Sequence, residues 1–478
     1  MTASPRAFSA VILGGGPAGL YLAYRLIALG RLSGPVAVVE RQTYCGGLAR
    51  SFEVDGLWFD IGSHRLHPSI NTQILADIKS QLGEELLLRP RNGRICIADR
   101  MVKFPLRLGD LACRLPARIV AGIIGDLLNK SGRGHALDRT FESELLASIG
   151  PTLCHSFYFP YARKLWGLEP NEIDVIQAHK RVSANSIAKI LRKITDSFVG
   201  RRRPGQIFYY PRFGFGQIVQ ALERQLTNKG AEIFLGHKVV AIQAAKKMGW
   251  EIVSSTAEGD ELRLRSATVF STIPAPALVR LQGDYAPPEI QSAAASLKYR
   301  GMVFAYFILA QDRFTPFDAH YFPGENVILS RLSEPRNYTD RDEPVNLTGL
   351  CAEIPCSPGD AIWNMDDSAL LDRVTCDLAA VGLTLPNTVT KRFVRRETHV
   401  YPIYDMKFSE RMSKIDDFIA RLDNLVPIGR QALFMHDNTH HTMEMALRAA
   451  DCLMAEGRFD TVRWRGYREA FEKNVVED

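Results

Sequence analysis

Short apolar runs that end at glycine-rich turns dominate the start of the chain. Residues 8–30 read FSAVILGGGPAGLYLAYRLIALG, an apolar stretch followed by glycines and by apolar positions at the spacing of one helix face. A second apolar run, VAVVE, follows at residues 36–40. The pattern predicts a strand, a tight turn, a helix and a second strand, as at the start of an α/β fold.

The turn between the first strand and the helix has the spacing of a dinucleotide site. Gly14, Gly16 and Gly19 form a G-x-G-x-x-G motif, which allows a tight turn, a close approach to a pyrophosphate and close helix–strand packing. The helix N-terminus would offer its unpaired N–H groups to the phosphates. Glu40, at the end of the second strand, stands where an acidic residue binds a ribose hydroxyl. We therefore predict a dinucleotide site rather than a glycine turn without a ligand.

Later apolar runs extend the prediction to the whole chain. GHKVVAI and ATVFSTIP predict further strands, and LVPIGRQALFMHDNTHH predicts a strand, a turn and a helix. MVFAYFILA and VILSRL predict strands of another sheet. The predicted fold class is α/β, with a Rossmann-like cofactor domain, a helical insert and a sheet-rich substrate domain, and the family resemblance given below implies that the cofactor domain is discontinuous. The predicted boundaries are 1–100, 205–285 and 395–478 for the cofactor domain, 101–204 for the insert and 286–394 for the sheet-rich domain.

Composition narrows the functional classes. With 478 residues, two or three domains are expected. The net charge of +6, from 59 basic and 53 acidic residues, favours small anionic ligands over a nucleic-acid surface. Eight cysteines without metal-ligand spacing indicate reduced thiols and no metal site. The start has no signal-peptide pattern and no apolar run is long enough to span a membrane, so we expect a cytoplasmic protein.

The segment after Glu40 carries a family resemblance. Gly46, Gly47 and Arg50 form a GG-x-x-R segment that resembles the second motif of the flavin monoamine oxidase and protoporphyrinogen oxidase superfamily. The resemblance implies FAD as the cofactor, held by discontinuous segments. It assigns the adenine-side strand to GHKVVAI, which contains Val239, and the closing flavin motif to Gly429 and Arg430.

Within that superfamily, YARKLWG at residues 161–167 resembles a motif of the UDP-galactopyranose mutases. GSHRLHP, HKRVS, SLKYRGMVF and VYPIYD resemble further segments of the same family. This resemblance implies catalytic roles for His64, His67, Arg300 and Tyr401. It implies substrate contacts for Tyr161, Trp166, Arg181, Tyr209 and Tyr210. In that family the N5 atom of the reduced flavin attacks the anomeric carbon of a nucleotide sugar, so no protein nucleophile is needed.

Each of these residues also has a structural interpretation. Tyr161 and Trp166 fit a helix core, with the cations near the helix end and Gly167 as its cap. Arg181 fits a solvated helix face. The two histidines fit a polar turn, and the tyrosines fit core packing. Physical chemistry supports the functional interpretation, because arginines bind diphosphates bidentately and aromatic rings stack on uracil.

The closing segment departs from the mutase pattern. Met435 and His436 stand where the family has a basic residue and a tyrosine, and His440 replaces a further acidic residue. Three hypotheses follow: an enzyme acting on a nucleotide-linked sugar, an FAD-dependent oxidase or desaturase acting on an apolar or amine substrate, and a flavin-binding scaffold without turnover. NAD(P)H as an external reductant stays open. We expect no membrane contact, and contact through the basic segment 189–203 is the less favoured alternative.

Overall fold

The computed structural model describes residues 4–106, 108–129, 139–181, 207–245, 249–454 and 457–476. Within these ranges the strands are β1 (Arg6–Phe8), β2 (Ala10–Leu13), β3 (Val36–Val39), β4 (Ser51–Val54), β5 (Leu57–Asp60), β6 (Leu86–Pro90), β7 (Gly93–Ile97), β8 (Arg100–Phe104), β9 (Ile207–Pro211), β10 (Glu232–Phe234), β11 (Lys238–Ala244), β12 (Trp250–Ser255), β13 (Glu261–Ser266), β14 (Val269–Ser271), β15 (Tyr299–Leu309), β16 (Ala319–Tyr321), β17 (Arg331–Ser333), β18 (Thr348–Cys356), β19 (Val389–Pro402) and β20 (Leu425–Pro427).

The α-helices of the same ranges connect and cover these strands. They are α1 (Pro17–Leu29), α2 (Thr72–Leu82), α3 (Leu108–Arg114), α4 (Ala117–Leu128), α5 (Phe141–Ser148), α6 (Pro151–Leu153), α7 (Phe159–Trp166), α8 (Val175–Arg181), α9 (Gln217–Asn228), α10 (Ala275–Arg280), α11 (Pro288–Ala295), α12 (Asp367–Ala380), α13 (Phe408–Ile419), α14 (Gly429–Ala432), α15 (Thr439–Cys452) and α16 (Thr461–Phe471). A π-helical turn, Cys154–Tyr158, joins α6 to α7.

A five-stranded parallel sheet in the order β10-β3-β2-β14-β20 forms the cofactor domain. All four residues of both β2 and β3 are buried, which explains their uninterrupted apolar sequences, since a parallel sheet is covered on both faces. Helix α1 packs against α9 and α15 on one face. Because the strands come from distant parts of the chain, the domain is discontinuous, and the predicted fold class is confirmed.

Two other sheets flank this domain. A four-stranded sheet, β1-β13-β12-β11, shares a hydrophobic core with the parallel sheet. A seven-stranded sheet has the order β19-β15-β18-β17-β16-β7-β8, and all eleven residues of its long strand β15 are buried. Helix α12 packs on this sheet.

Strand pairing cuts across two of the predicted domain boundaries. The boundary after residue 100 falls inside β8, which pairs with β7, and the boundary at 395 falls inside β19. Both places belong to the seven-stranded sheet, because main-chain hydrogen bonds continue through them. The division into three domains otherwise stays a prediction.

The described part of the predicted insert contains helices α3 to α8. Phe141, Leu145 and Trp166 are among the residues that form its own buried cluster. None of the helices in the described ranges is long and apolar enough to cross a membrane. The basic segment 189–203 lies outside the described residues.

Candidate active site

The glycine turn after β2 is shaped at Gly14 and Gly19 by contacts that leave no room for a side chain. Gly14 has a φ of +103°, and a Cβ there would overlap the Thr272 hydroxyl. A Cβ at Gly19 would overlap the Gly14 carbonyl, so the helix can approach the turn only without one. Gly16 differs, because a Cβ there would meet nothing within 4 Å. No side chain caps α1 at Gly16, so the first N–H groups are available to an anion.

Glu40 joins this turn to the loop after β3. One of its carboxylate oxygens accepts a hydrogen bond from the Gly15 N–H at 2.8 Å, and the other accepts one from the Gln42 N–H at 2.9 Å. The carboxylate is thereby fixed in place while each oxygen can accept a further donor. This arrangement suits a ribose hydroxyl.

The second glycine motif docks on the first. Gly46 donates its N–H to the Gly15 carbonyl at 2.8 Å, and a Cβ on Gly47 would lie 3.8 Å from the Gly16 Cα. The guanidinium of Arg50 lies 4.1 Å from the Tyr44 ring centroid, and its Nη2 is 3.8 Å from a Glu397 oxygen. Arg50 thus joins the cofactor domain to β19.

Two later segments complete this region. A Cβ on Gly429, which has a φ of +78°, would lie 3.0 Å from the Ala18 Cβ, so α14 rests on the first turn of α1. The chain entering β11, where Val239 lies, is tied to the Glu40 loop by the His237 N–H, which donates to the Glu40 carbonyl at 2.9 Å. We call the region formed by residues 14–19, 40–47 and 429 the cradle. Its open helix N-terminus and fixed carboxylate fit the diphosphate and ribose of FAD.

A cavity opens between the cofactor domain and the seven-stranded sheet. Its charged lining in the described part of the chain includes five arginines and two carboxylates, which are Arg65, Arg91, Arg181, Arg331, Arg430, Glu353 and Asp437. The excess of positive charge favours an anionic ligand.

Arg430 and Arg181 meet at Tyr401 in this cavity. The Arg430 guanidinium lies 5.0 Å from the Tyr401 ring centroid, and that of Arg181 lies 5.8 Å from it. Arg430 donates through Nη2 to the Val400 carbonyl, while its buried Nε has no hydrogen-bond partner among the described residues. Burial lowers the pKa of Arg430, and the nearby Arg181 lowers it further. A bound anion would relieve the repulsion between these two cations.

The two adjacent cations at the end of α8 contact different parts of the molecule. Lys180 is 3% exposed and donates through Nζ to the Phe471 carbonyl at 3.1 Å. Arg181, the next residue, lines the cavity. The structure therefore brings the predicted substrate arginine to the cavity and uses its neighbour to anchor the helix.

Both histidines of the predicted loop line the cavity. His64 stacks on Phe215 with a centroid distance of 5.2 Å, and its Nδ1 has no hydrogen-bond partner among the described residues. Burial, with a contribution from Arg331, lowers the pKa of His64 to about 4, so the ring is neutral at pH 7. His67 makes a 2.8 Å hydrogen bond between Nδ1 and the Ser69 hydroxyl.

Sequence reasoning missed several cavity residues. Arg331 donates to both oxygens of Glu353, from Nε at 2.8 Å and from Nη2 at 2.7 Å. Glu353 also accepts the Ser63 N–H at 2.7 Å, which holds the histidine loop against β18. Arg65 donates to the hydroxyls of Tyr321 and Tyr338 at 2.9 and 3.1 Å. Arg65 stands inside the GSHRLHP segment but was not singled out, and no local motif marks Arg331 or Glu353, because their contacts join segments far apart in the chain.

Arg300 does not line the cavity. Its Nε donates to the Leu165 carbonyl at 3.2 Å, its Nη2 to the Lys164 carbonyl at 3.3 Å and its Nη1 to the Ser357 hydroxyl at 2.5 Å. The guanidinium therefore satisfies the carbonyls at the end of α7, where a cation is favoured. A Cβ on Gly167 would lie 3.0 Å from it. The predicted catalytic arginine thus fixes a helix in this structure.

Trp166 lies behind the cavity wall. It is 5% exposed and packs edge-on against Phe141 at 5.4 Å, in the core of the helical insert. Its ring centroid is 6.3 Å from that of His436, which does line the cavity. The indole N–H has no hydrogen-bond partner among the described residues. Tyr161 stacks on Phe157 at 5.7 Å and is also outside the lining.

The aromatic strand β9 contributes a different residue from those predicted. Tyr210 is 1% exposed and donates its hydroxyl to Asp60 at 2.7 Å. Tyr209 exchanges main-chain hydrogen bonds with Leu66 and thereby supports the histidine loop. Phe208 lines the cavity, and neither tyrosine does. Strand alternation places Phe208 on the face opposite to Tyr209, but it cannot tell how far along the strand the cavity extends.

The unusual residues of the closing motif have defined places. Met435 is 6% exposed and belongs to the core around α1. The His436 ring stacks on Tyr401 at 5.8 Å, and its Nε2 lies 2.7 Å from the Pro402 carbonyl, to which it donates. Burial, aided by Arg181 and Arg430, lowers the pKa of His436 well below its usual value. A neutral histidine therefore supports Tyr401 from behind.

The cradle on a parallel sheet defines a dinucleotide-binding protein, and comparisons with known proteins identify its family. Residues 17–451 match the model of the flavin containing amine oxidoreductases. The chain belongs to this family and is a flavoenzyme, as the sequence resemblance predicted. A shorter match, 41% identical over 83 residues, joins it to a putrescine oxidase of Kocuria rosea. That match spans 17% of this chain and 16% of the oxidase.

Solved structures support the fold. A reduced UDP-galactopyranose mutase superposes with a TM-score of 0.80 at 20% identity, covering 98% of this chain and 100% of the mutase. A protein described as a protoporphyrinogen oxidase, from Exiguobacterium sp. 255-15, gives a TM-score of 0.72 at 18% identity, covering 94% of this chain and 98% of that one. At such identities the likeness extends to the fold alone. The solved structures that share this fold include both a mutase and an oxidase.

Proposed function

We propose that this flavoenzyme acts on a nucleotide-linked sugar, with FAD in the cradle and the substrate diphosphate in the cationic cavity. The observation that carries this proposal is the meeting of Arg181 and Arg430 at Tyr401. Two guanidinium groups on one ring form a strong site for a diphosphate. The mutase likeness of the fold agrees with it.

In the cradle, the N–H groups at the start of α1 would bind the FAD pyrophosphate, and Glu40 would bind the ribose. When bound, FAD supplies the redox-active ring that either isomerisation or hydride removal requires. The chain's own residues bind and orient the substrate. Arg181 and Arg430 would stabilise the negative charge that grows on a departing diphosphate. Tyr401, held by His436, would keep both cations in place.

An amine substrate fits the polar lining less well. A cationic amine would be repelled by the five arginines of the described lining, and of its two carboxylates only Asp437 keeps an oxygen, Oδ2, without a hydrogen-bond partner among the described residues. Glu353 is paired with Arg331, and Asp437 Oδ1 lies 3.1 Å from the His441 Nδ1. Hydride removal from a small uncharged organic substrate is the second candidate, because Ile61 and Met302 give one side of the cavity an apolar surface.

Anaerobic incubation of the dithionite-reduced holoenzyme with UDP- and dTDP-hexoses tests the proposal. We expect an isomer of equal mass, separated by chromatography, that forms only when the flavin is reduced. No product, and no flavin spectral change with any nucleotide sugar, would overturn it. Oxygen consumption with amines and uncharged alcohols, measured on the oxidised enzyme, tests the second candidate.

A matched pair of variants locates the diphosphate site. R181A should weaken UDP binding at least tenfold, because it removes a charge-assisted contact. R224A removes an exposed arginine from α9 and should bind UDP as the wild type does. Equal UDP affinities in both variants would show that Arg181 is not a ligand contact.

A further inference from the structure

The segment that follows α16 crosses to the cavity. After α16 ends at Phe471, the Asn474 side-chain amide donates to Asp437 Oδ1 at 3.3 Å. The Val476 N–H then donates to the Lys180 carbonyl at 2.8 Å. We call residues 472–476 the strap. It is attached to two different parts of the cavity wall.

The attachments lie directly beside the ligand-facing residues. Lys180 precedes Arg181, and Asp437 follows His436. Val476 itself lines the cavity together with these residues. The strap therefore adds an apolar side chain to a wall that also carries Arg181 and Arg430, close to the proposed diphosphate contact.

The strap is held weakly compared with the elements it touches. Glu472 and Lys473 are exposed. Residues 474–476 are half-buried and have no regular secondary structure. The buried Lys180 side chain donates to the Phe471 carbonyl and so holds the end of α16, and only the Lys180 carbonyl holds the strap, through the Val476 N–H. Segments with few buried contacts open locally while the rest of the fold stays intact.

We propose that the strap determines the specificity of the cavity. When attached, it places Val476 beside Arg181 and limits the size of the group that the cavity accepts there. When the strap detaches, the cavity loses Val476 from its wall, while the cradle and the arginines remain in place. The size limit rests on the proposed function, whereas the attachment of the strap does not.

Hydrogen exchange of the FAD-loaded protein, followed by mass spectrometry, tests the attachment. N474A should raise exchange in the peptide containing Val476 about fivefold, the effect of losing one hydrogen bond. The control, K473A, changes the adjacent exposed side chain and should exchange as the wild type does. Wild-type exchange at the rate of an unstructured peptide would overturn the attachment.

Flavin difference spectra with inorganic pyrophosphate, UDP and UDP-galactose test the size limit. V476A and V476F should leave pyrophosphate affinity within twofold of the wild type. They should change UDP-galactose affinity at least threefold in opposite directions. Unchanged affinities for all three probes would overturn the size limit. If the wild type binds none of them, the proposed function and the size limit fail together, and the exchange experiment alone decides the attachment.

Discussion

The cradle and the cavity are built by different means. The cradle is formed mainly by two neighbouring stretches, residues 14–19 and 40–47, and its shape depends on close contacts at Gly14 and Gly19 that exclude a Cβ. The cavity draws side chains from the histidine loop, α8, β9, β15, β17 to β19 and the closing segment. Its charge depends on which side chain of each element faces inward.

This difference explains why motifs locate one region better than the other. A glycine requirement can be read from spacing, since a turn of given geometry admits few other residues. The inward direction of Arg181 or Phe208 depends on how a helix or strand is seated against distant elements. A shift of one residue would present Lys180 or Tyr209 instead.

The largest effect should come from closing the cradle. G19A places a methyl group against the Gly14 carbonyl, and neither backbone can move aside easily. We expect loss of bound FAD on purification and a loss of about 2 kcal/mol in the free energy of unfolding. Flavin absorbance and chemical denaturation measure both.

G16A sharpens this test, because its methyl group would meet no protein atom within 4 Å. It should leave the unfolding free energy of the apoprotein unchanged and weaken FAD binding about tenfold, since it fills space meant for the ligand. G109A, at an equally open position in α3, is the control. Unchanged FAD affinity in G16A would show that the pyrophosphate does not approach this position.

Arg300 and Arg181 test the cavity side of the comparison. R300A leaves two carbonyls at the end of α7 without their donor, so we expect a loss of about 2 kcal/mol in the free energy of unfolding. R181A should lower the free energy of unfolding by less than half as much as R300A does, and it should weaken UDP binding more than R300A does. The reverse result, with R300A fully stable but unable to bind UDP, would show that Arg300 belongs to the substrate site.

The pH dependence of stability tests the burial of His64. Its pKa falls from 6.5 to about 4 on folding, so the unfolded chain binds the proton more tightly. The contribution of the neutral His64 ring to the free energy of unfolding is therefore fully present above about pH 6.5 and is lost as the pH falls towards 4. Relative to H64Q, the wild type should lose about 2 kcal/mol between pH 7 and 4, since cavity water screens part of the shift. Parallel pH profiles of unfolding would contradict this.

The smallest effect should come from Tyr209, a predicted substrate contact that lies outside the cavity lining. Its main chain, not its hydroxyl, binds the histidine loop. Y209F should change the unfolding free energy by less than about 0.5 kcal/mol and UDP affinity by less than twofold. Titration of UDP into Y209F and F208A compares the two faces of β9, and a larger loss in Y209F would place the ligand elsewhere.

The sequence alone determined the fold class, the cradle and the flavin family. These depend on short apolar strands, on glycines at a fixed spacing and on an acidic residue at a strand end, all of which are local features. It also indicated the segments that meet at the cavity, because family motifs mark them.

Only the tertiary structure decided what each of those segments contributes. It brought Arg181, Tyr401 and Arg430 together, turned Arg300 to the end of α7 and buried Trp166 and Tyr210. It added Arg331, Glu353 and Val476, which no motif marks. The physical reason is that inward direction and pairing depend on packing between elements far apart in the chain, which residue spacing within one element does not encode.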